Sequence, residues 1–330
     1  MKKTTILSAL IFCALLIASA VQATVWRVNN TAGSSAHYTS IQAAHDAATT
    51  VNGDTLYVEA SSASVGALST SKRLTIIGTG YFLGENPQTQ ASPLASYVDY
   101  IYFQVGSQGS KVMGLSIGYI YLYTSDIFIN RCYIYTSSYP IYAVSNGVSN
   151  IIISQNYLYS YYYWNPAVYF PYSASNILVS NNFIYGSIST IANFSGIITN
   201  NVIYGELGAH NAVYKNNIHR FGGFTPNNSV YTHNISYSTT FGTANNNQAN
   251  VDMNSVFLGA TGNSTDGQWR LSATSPAIGA GENGVDCGMF GGPFPYVLSG
   301  MPNIPSIYYL NAPAVPSNTI DVAIKAKSHN

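Results

Sequence analysis

Ile153-Ser154-Gln155-Asn156-Tyr157-Leu158, Val179-Ser180-Asn181-Asn182-Phe183-Ile184 and Ile198-Thr199-Asn200-Asn201-Val202-Ile203 are three copies of one pattern. An apolar residue lies three places before a central residue and another lies two places after it. Read outward from these copies, the pattern returns eight times between Val112 and Val256. Its centres are Leu115, Cys132, Asn156, Asn182, Asn201, Asn216, His233 and Asn254. The spacing between centres varies from 15 to 26 residues while the apolar offsets hold. A constant strand–bend–strand unit with loops of unequal length is what a stacked solenoid produces. Its strands lie parallel, about 4.8 Å apart, and the residue at the bend points inward. The amides of Asn156, Asn182, Asn201, Asn216 and Asn254 are therefore expected to bond from coil to coil as a ladder. Leu115, Cys132 and His233 would interrupt it, Cys132 as a small packed hydrophobe and His233 as a ring filling a slot.

Upstream, residues 1–23 read as a secretory signal peptide: Lys2 and Lys3 precede an apolar run from Ile6 to Ile17, and Val21-Gln22-Ala23 offers a small residue at the cut. That run is too short to span a membrane, and no later stretch is long enough. The expected location is secreted: periplasmic, extracellular or cell-surface. Thr24 to Asn30 alternates and reads as a first strand. A helix is then expected over about 39–52, with Thr39 as N-cap, Gln42 completing a capping box and Gly53 as the stop. Placed ahead of a solenoid, such a helix covers the first coil. The glycine-rich run Gly78 to Gly84 lacks the spacing and the following helix of a phosphate cradle and reads as a turn. The β-helix domain is assigned to residues 24–292. Beyond it, prolines 293, 295, 302, 305, 313 and 316 punctuate a tail (293–330) ending in an alternating strand, Thr319 to Ala326, that packs along or caps the last coils or forms a small module.

Charged residues make up 7% of the chain and the formal net charge is zero, which leaves no electrostatic footprint for nucleic acid or an anionic membrane. Rings are abundant instead: 28 Tyr beside 3 Trp, residues that suit pleated strands. Two cysteines, Cys132 and Cys287, follow the signal segment, and the sequence leaves open whether they pair.

The helix-then-strand opening, Tyr38 to Glu59, followed by Ile-x-x-Asn-x-Ile repeats, resembles the right-handed parallel β-helix of the pectate-lyase-like superfamily. The segment Ser275-Pro276-Ala277-Ile278-Gly279-Ala280-Gly281, continuing to Asp286-Cys287-Gly288-Met289-Phe290-Gly291, is similar to a closing motif of bacterial secreted members. The expected fold is thus all-β: a right-handed parallel β-helix with an N-terminal capping helix and a short C-terminal tail or module. The resemblance also implies three strands per coil, with the strand that carries chemistry following each repeat after a variable loop: Tyr119 to Tyr123, Pro140 to Val144, Ala167 to Phe170 and Thr190 to Phe194.

Lyases of that superfamily use acidic clusters for calcium and a Lys or Arg as base. The four segments contain no Asp, Glu, Lys or Arg, and calcium needs several carboxylate oxygens. No metal or other cofactor is expected. Hydrolysis needs two carboxylates about 5–9.5 Å apart, and no acids share a strand or adjacent coils at that spacing. The densest polar group is Glu206, His210, Lys215, His219 and Arg220. It holds the parts of a general base with a cationic stabiliser, although scattered charges of this kind more often form a solvated rim of local ion pairs. What the return strands offer is aromatic: Tyr121, Tyr123, Tyr142 and Tyr169, with Tyr161-Tyr162-Tyr163-Trp164 in a loop. A second stripe, Tyr135, Tyr159, Tyr185 and Tyr204, follows the ladder. Aromatic faces stack on sugar rings without charge, and they also steady any solenoid by cross-strand stacking. Three readings stay open: a non-catalytic binder of a neutral polysaccharide or cell-surface glycan, a polysaccharide lyase or glycosidase with an unfamiliar site, and a structural or adhesive spacer.

Overall fold

A computed structural model describes residues 23–190, 193–225, 227–312 and 322–329. The expected signal peptide, residues 1–23, lies outside them apart from Ala23. The described chain is a right-handed parallel β-helix of about nine turns. Ten strands, from Val25–Val28 to Val230–Thr232, stack in parallel as one face. Each runs into the bend, and the chain leaves it on a second face whose strands include Tyr133–Thr136, Tyr157–Ser160, Phe183–Tyr185, Val202–Tyr204 and Ile218–Phe221. A return face closes the coil through Leu68–Thr70, Ile141–Ala143, Pro166–Phe170, Ser187–Thr190 and Leu207–Gly208. In the early coils the second and return faces are not yet separate. Tyr97–Phe103 and Ser116–Leu122 run straight across both, so that Ser116–Leu122 pairs with Tyr133–Thr136 at its start and with Ile141–Ala143 at its end.

The alternation of the sequence sets what faces inward. Ile129, Ile153, Val179, Ile198 and Tyr214 stand in register before the bend, and Ile134, Leu158, Ile184, Ile203 and His219 after it. All are buried in one continuous core or, for His219, inside it. The ladder sits between the two rows. Asn182 Oδ1 accepts from the Asn156 N–H (2.8 Å) and from Asn156 Nδ2 (3.0 Å), and the motif repeats from Asn201 to Asn182.

Below Asn201 the rungs are Asn217, Asn234 and Asn247, each accepting from the amide and the side chain of the rung before. Asn216 and His233 are one residue off the ladder, and Asn254 lies in the one-turn helix Met253–Val256 with no rung contact. The register shift has a cause. In these coils the inward slots are filled by Tyr214 and His219, then Tyr231 and Ser236, while the aliphatics Val213 and Ile218 face out. Cys132 occupies the first slot, its N–H bonding Asn156 Oδ1 at 2.9 Å. Both Cys132 and Cys287 are free and buried.

Asn216 and His233 have a different role. The residue before each rung adopts a left-handed backbone, with φ of 51° at Arg131, 56° at Gln155, Asn181, Asn216 and His233, and 54° at Asn200. Asn tolerates this conformation, whereas Arg, Gln and His pay about 1–2 kcal/mol for it. It aims these side chains out of the corner, where a C-terminal strap runs back along the helix. Asn216 Oδ1 accepts the Glu282 N–H, Asn200 donates to Asp286 O, and Asn181 donates to Met289 O and Gly291 O. Further back, Gln155 donates to Pro295 O, and the Arg131 guanidinium to Met301 O at 2.8 Å and His329 O at 3.0 Å. The strap thus begins before residue 293 and travels from the last coils toward the first. Beneath it lies a second core in which Tyr157, Phe183, Val202, Ile218 and Ile235, on the outer side of the post-bend strands, meet Ala277, Cys287, Met289 and Tyr296.

The capping helix is shorter than the sequence suggests. It spans Ile41–Asp46, with Ser40 rather than Thr39 as N-cap accepting from the Ala43 N–H, and Gln42 bonds Ser69 and Asp46 instead of closing a box. The open edge of Val25–Val28 is covered by the chain at Tyr38. At the other end Phe241 plugs the core beside Tyr214 and Tyr231. The tail strand forms over Ala323–Lys327 and pairs antiparallel with Ser306–Asn311 as an exposed hairpin; residues 319–321 of the expected strand lie outside the described residues.

Candidate functional site

The parallel register turns alternating tyrosines into columns. On the return face Tyr102, Tyr121, Tyr142 and Tyr169 stand on successive strands, with centroids 5.4, 5.1 and 5.4 Å apart. Tyr139 leans on Tyr142 and Tyr169 from its loop, and Tyr123 packs edge-on against Tyr102. The column stops at Ser189, which takes the next position below Tyr169. The fourth return strand is Ser187–Thr190, so Phe194 belongs instead to the first face.

A second column lies on the post-bend face: Tyr135, Tyr159, Tyr185, Tyr204, Phe221 and Tyr237, with the Tyr159 and Tyr185 rings parallel within 6° at 4.5 Å. The loop rings 161–164 join this column rather than the first. Tyr163 packs on Phe221 at 5.1 Å and against Tyr204, Tyr162 stacks on Trp164 at 4.7 Å, and Tyr161, Tyr162 and Trp164 are exposed. The aromatic set expected from sequence is thereby divided between two faces: Tyr121, Tyr123, Tyr142 and Tyr169 on one, and Tyr161, Tyr162, Tyr163 and Trp164 on the other.

The two columns converge at their heads, where the faces are still merged. There a groove of about 540 Å³ is lined by Tyr97, Tyr100, Tyr119, Tyr133 and Tyr135, with Asp99, Ser62, Ser64 and Gly118. Tyr100 and Tyr119 lie in register and stack at 5.0 Å and 11°. A Cβ at Gly118 would fall 2.3 Å from the Asp99 carbonyl oxygen, so only glycine fits where the two strands press together in the groove. Burial raises the hydroxyl pKa of Tyr121, Tyr142, Tyr159 and Tyr185, and pushes that of Tyr133 up to about 12. Tyr102 is raised first by its hydrogen bond with Tyr119 and then by burial. All these rings keep their protons near neutrality and present a hydroxyl that both donates and accepts. Sequence reasoning missed Tyr97, Tyr100, Tyr119 and Tyr133; the signal was present in Tyr97-Val98-Asp99-Tyr100-Ile101-Tyr102, whose alternation continues the column upward.

The polar group proposed as an acid–base set falls into separate environments. Lys215, on the outer side of the first face, pairs with Glu282 of the strap at 2.9 Å. His219 is fully buried inside the coil, with Nε2 2.9 Å from Gly205 O and Nδ1 3.2 Å from Thr240 Oγ1. Burial lowers its pKa to about 4. Glu206 accepts from the Thr225 hydroxyl at the start of a return strand, and His210 Nδ1 accepts from the Asn227 N–H on the turn beyond it. Arg220 lies over the rings of Tyr204 and Trp269. The side chains of the set contact other groups, and among the described residues no hydrogen bond or ion pair joins one of them to another. Among the described residues no cluster of three or more His, Cys, Asp or Glu could hold a metal ion.

The chain matches no family model, no curated protein and no solved structure. Its own geometry is therefore the ground for a function. Among the described residues no helix is long and apolar enough to cross a membrane.

Proposed function

We propose that this chain is a secreted or cell-surface β-helix, of the pectate-lyase-like kind, that binds a glycan through its tyrosine face without transforming it. The observation that carries this reading is the groove where two in-register tyrosine columns meet, concave and lined by five rings. Flat apolar faces spaced by the strand repeat suit successive pyranose rings, and neutral hydroxyls orient them without demanding charge. The separation of Glu206, His210, Lys215 and His219 supports binding over hydrolysis or elimination. A screen of soluble neutral glycans against the protein and its Tyr100→Ala/Tyr119→Ala variant tests it. The expected result is binding lost in that pair and retained in Tyr162→Ala/Trp164→Ala. Equal binding by Tyr100→Ala/Tyr119→Ala and the parent sinks the assignment.

One observation favours a second reading, assembly with a further copy of this chain. On the outer side of the first face Phe128, Ile152, Leu178, Ile197, Val213 and Val230 stand in register, with Ile152, Ile197 and Val230 exposed. An apolar row of this kind marks contact surfaces. Sedimentation of the parent and of Ile152→Ser/Ile197→Ser decides it: a dimer in the parent and a monomer in the variant is expected, and a monomeric parent removes the reading.

A further inference from the structure

The groove at the head of the tyrosine columns is not electrically neutral. Asp99 is the one charged side chain that lines it. Its N–H donates to Gly66 O at 3.1 Å, which fixes the backbone. The residue is exposed, and its carboxylate takes no part in the three ion pairs or in any side-chain hydrogen bond among the described residues. On either side stand Tyr97 and Tyr100, with Tyr119 stacked on the latter. The other acids of the early coils are engaged: Asp46 by Gln42 and His45, Asp54 by Trp26 and the Thr24 and Val51 N–H groups, Glu59 by Arg27 and Asn29, Glu85 by the Thr265 N–H, and Asp126 by Asn150.

An unpaired carboxylate set among aromatic faces selects for positive charge. Ring quadrupoles attract a cation over their faces and repel an anion, and the carboxylate adds a charge-assisted hydrogen bond to an ammonium. A neutral sugar would use Asp99 only as a hydrogen-bond acceptor. An acidic sugar would be repelled by it, with no lysine or arginine in the lining to compensate. We propose that this groove takes a saccharide bearing a protonated amino group, with the ammonium at Asp99 and the apolar face of the ring against the Tyr100–Tyr119 pair. The proposal rests on the reading of the tyrosine face as a glycan site and names the class of sugar at its head.

Calorimetric titration at mildly acidic pH and low ionic strength, where charge contacts are least screened, compares three β-1,4-linked oligomers of equal length: glucosamine, N-acetylglucosamine and glucose. Glucosamine is expected to bind about tenfold more tightly than the other two. Asp99→Asn should abolish that margin by bringing the glucosamine oligomer down to the level of the two neutral oligomers, and Tyr119→Ala should weaken all three. Equal affinities in the parent overturn the proposal, as does a margin that survives in Asp99→Asn or a glucosamine oligomer that fails to bind. The neutral oligomers judge the glycan reading separately: their failure beside a retained, Asp99-dependent glucosamine signal removes the neutral-glycan assignment and leaves the amine site standing.

Discussion

Replacing Asn217 by alanine, beside Asn216 by glycine, tests the ladder where sequence and structure disagree by one residue. Asn217 Oδ1 accepts from the Asn201 N–H and from Asn201 Nδ2, both at 3.0 Å, and Nδ2 donates to Ile198 O at 2.8 Å and Asn234 Oδ1 at 3.0 Å. Truncation strands the Asn201 N–H in a site with no access to water, at about 1–3 kcal/mol. It also removes three further bonds, each with a net contribution of about 1 kcal/mol. Asn201 Nδ2 keeps Val179 O and Thr199 O, so its hydrogens are not orphaned. The expected loss is about 4–6 kcal/mol. Asn216→Gly retains the left-handed backbone and loses the bond to the Glu282 N–H and a long one to Asn200, for about 1 kcal/mol. Urea unfolding followed by circular dichroism, with both variants read against the parent, measures the difference. A loss for Asn216→Gly equal to or above that for Asn217→Ala would refute the assigned register.

Further outcomes follow from other sites. His219 titrates near 4 in the folded chain and near its ordinary 6.5 when unfolded, so the unfolded state takes up the proton first as pH falls. Stability is complete above about pH 6.5, declines as pH drops toward 4, and loses about 2 kcal/mol by about pH 5 at 1.36 kcal/mol per unit; His219→Gln, which still donates to Gly205 O, should flatten this part of a melting-temperature profile. Asn181→Gly removes both bonds to Met289 O and Gly291 O and should speed protease cleavage within residues 282–302 several-fold without altering far-ultraviolet dichroism; an unchanged cleavage rate argues against the strap contacts. Burial pushes the thiols of Cys132 and Cys287 up to about 12, so a disulfide-exchange reagent should label neither in the native protein and both in denaturant.

The early ladder was legible because Asn156, Asn182 and Asn201 each have aliphatic residues at both flanking offsets. The later rungs were not, because hydrophobicity satisfies two registers at once. Val213 and Ile218 frame Asn216 as convincingly as their counterparts frame Asn201, yet Ile218 is buried against the strap and not inside the coil. The paired asparagines 181–182, 200–201 and 216–217 carried the missing signal. The first of each pair is left-handed and the second is the rung, a division of labour that the conformational tolerance of Asn explains. The strap left little trace, since most of its partners are its own backbone carbonyls. The tyrosine columns could be read from spacing, but their grouping could not: the sequence placed 161–164 beside Tyr142 and Tyr169, and only the coil geometry sends Tyr163 to Phe221. Asp99 carried no pattern and gained interest from the rings around it.

The strap also orders events during folding. Its contacts close loops of 66 residues at Asn216, 110 at Asn181, 170 at Arg131 and 215 between Tyr81 and Tyr296. Each long closure would be slow alone, but once the coils have stacked, every anchored step brings the next within reach. The coils can propagate from neighbour to neighbour as the chain emerges, whereas the corner stays wet until the final segment arrives and zips from the late coils to the early ones. Release of that segment would reverse the same sequence, freeing the Tyr81–Tyr296 end first and exposing a hydrophobic seam while the core of the coil remains closed.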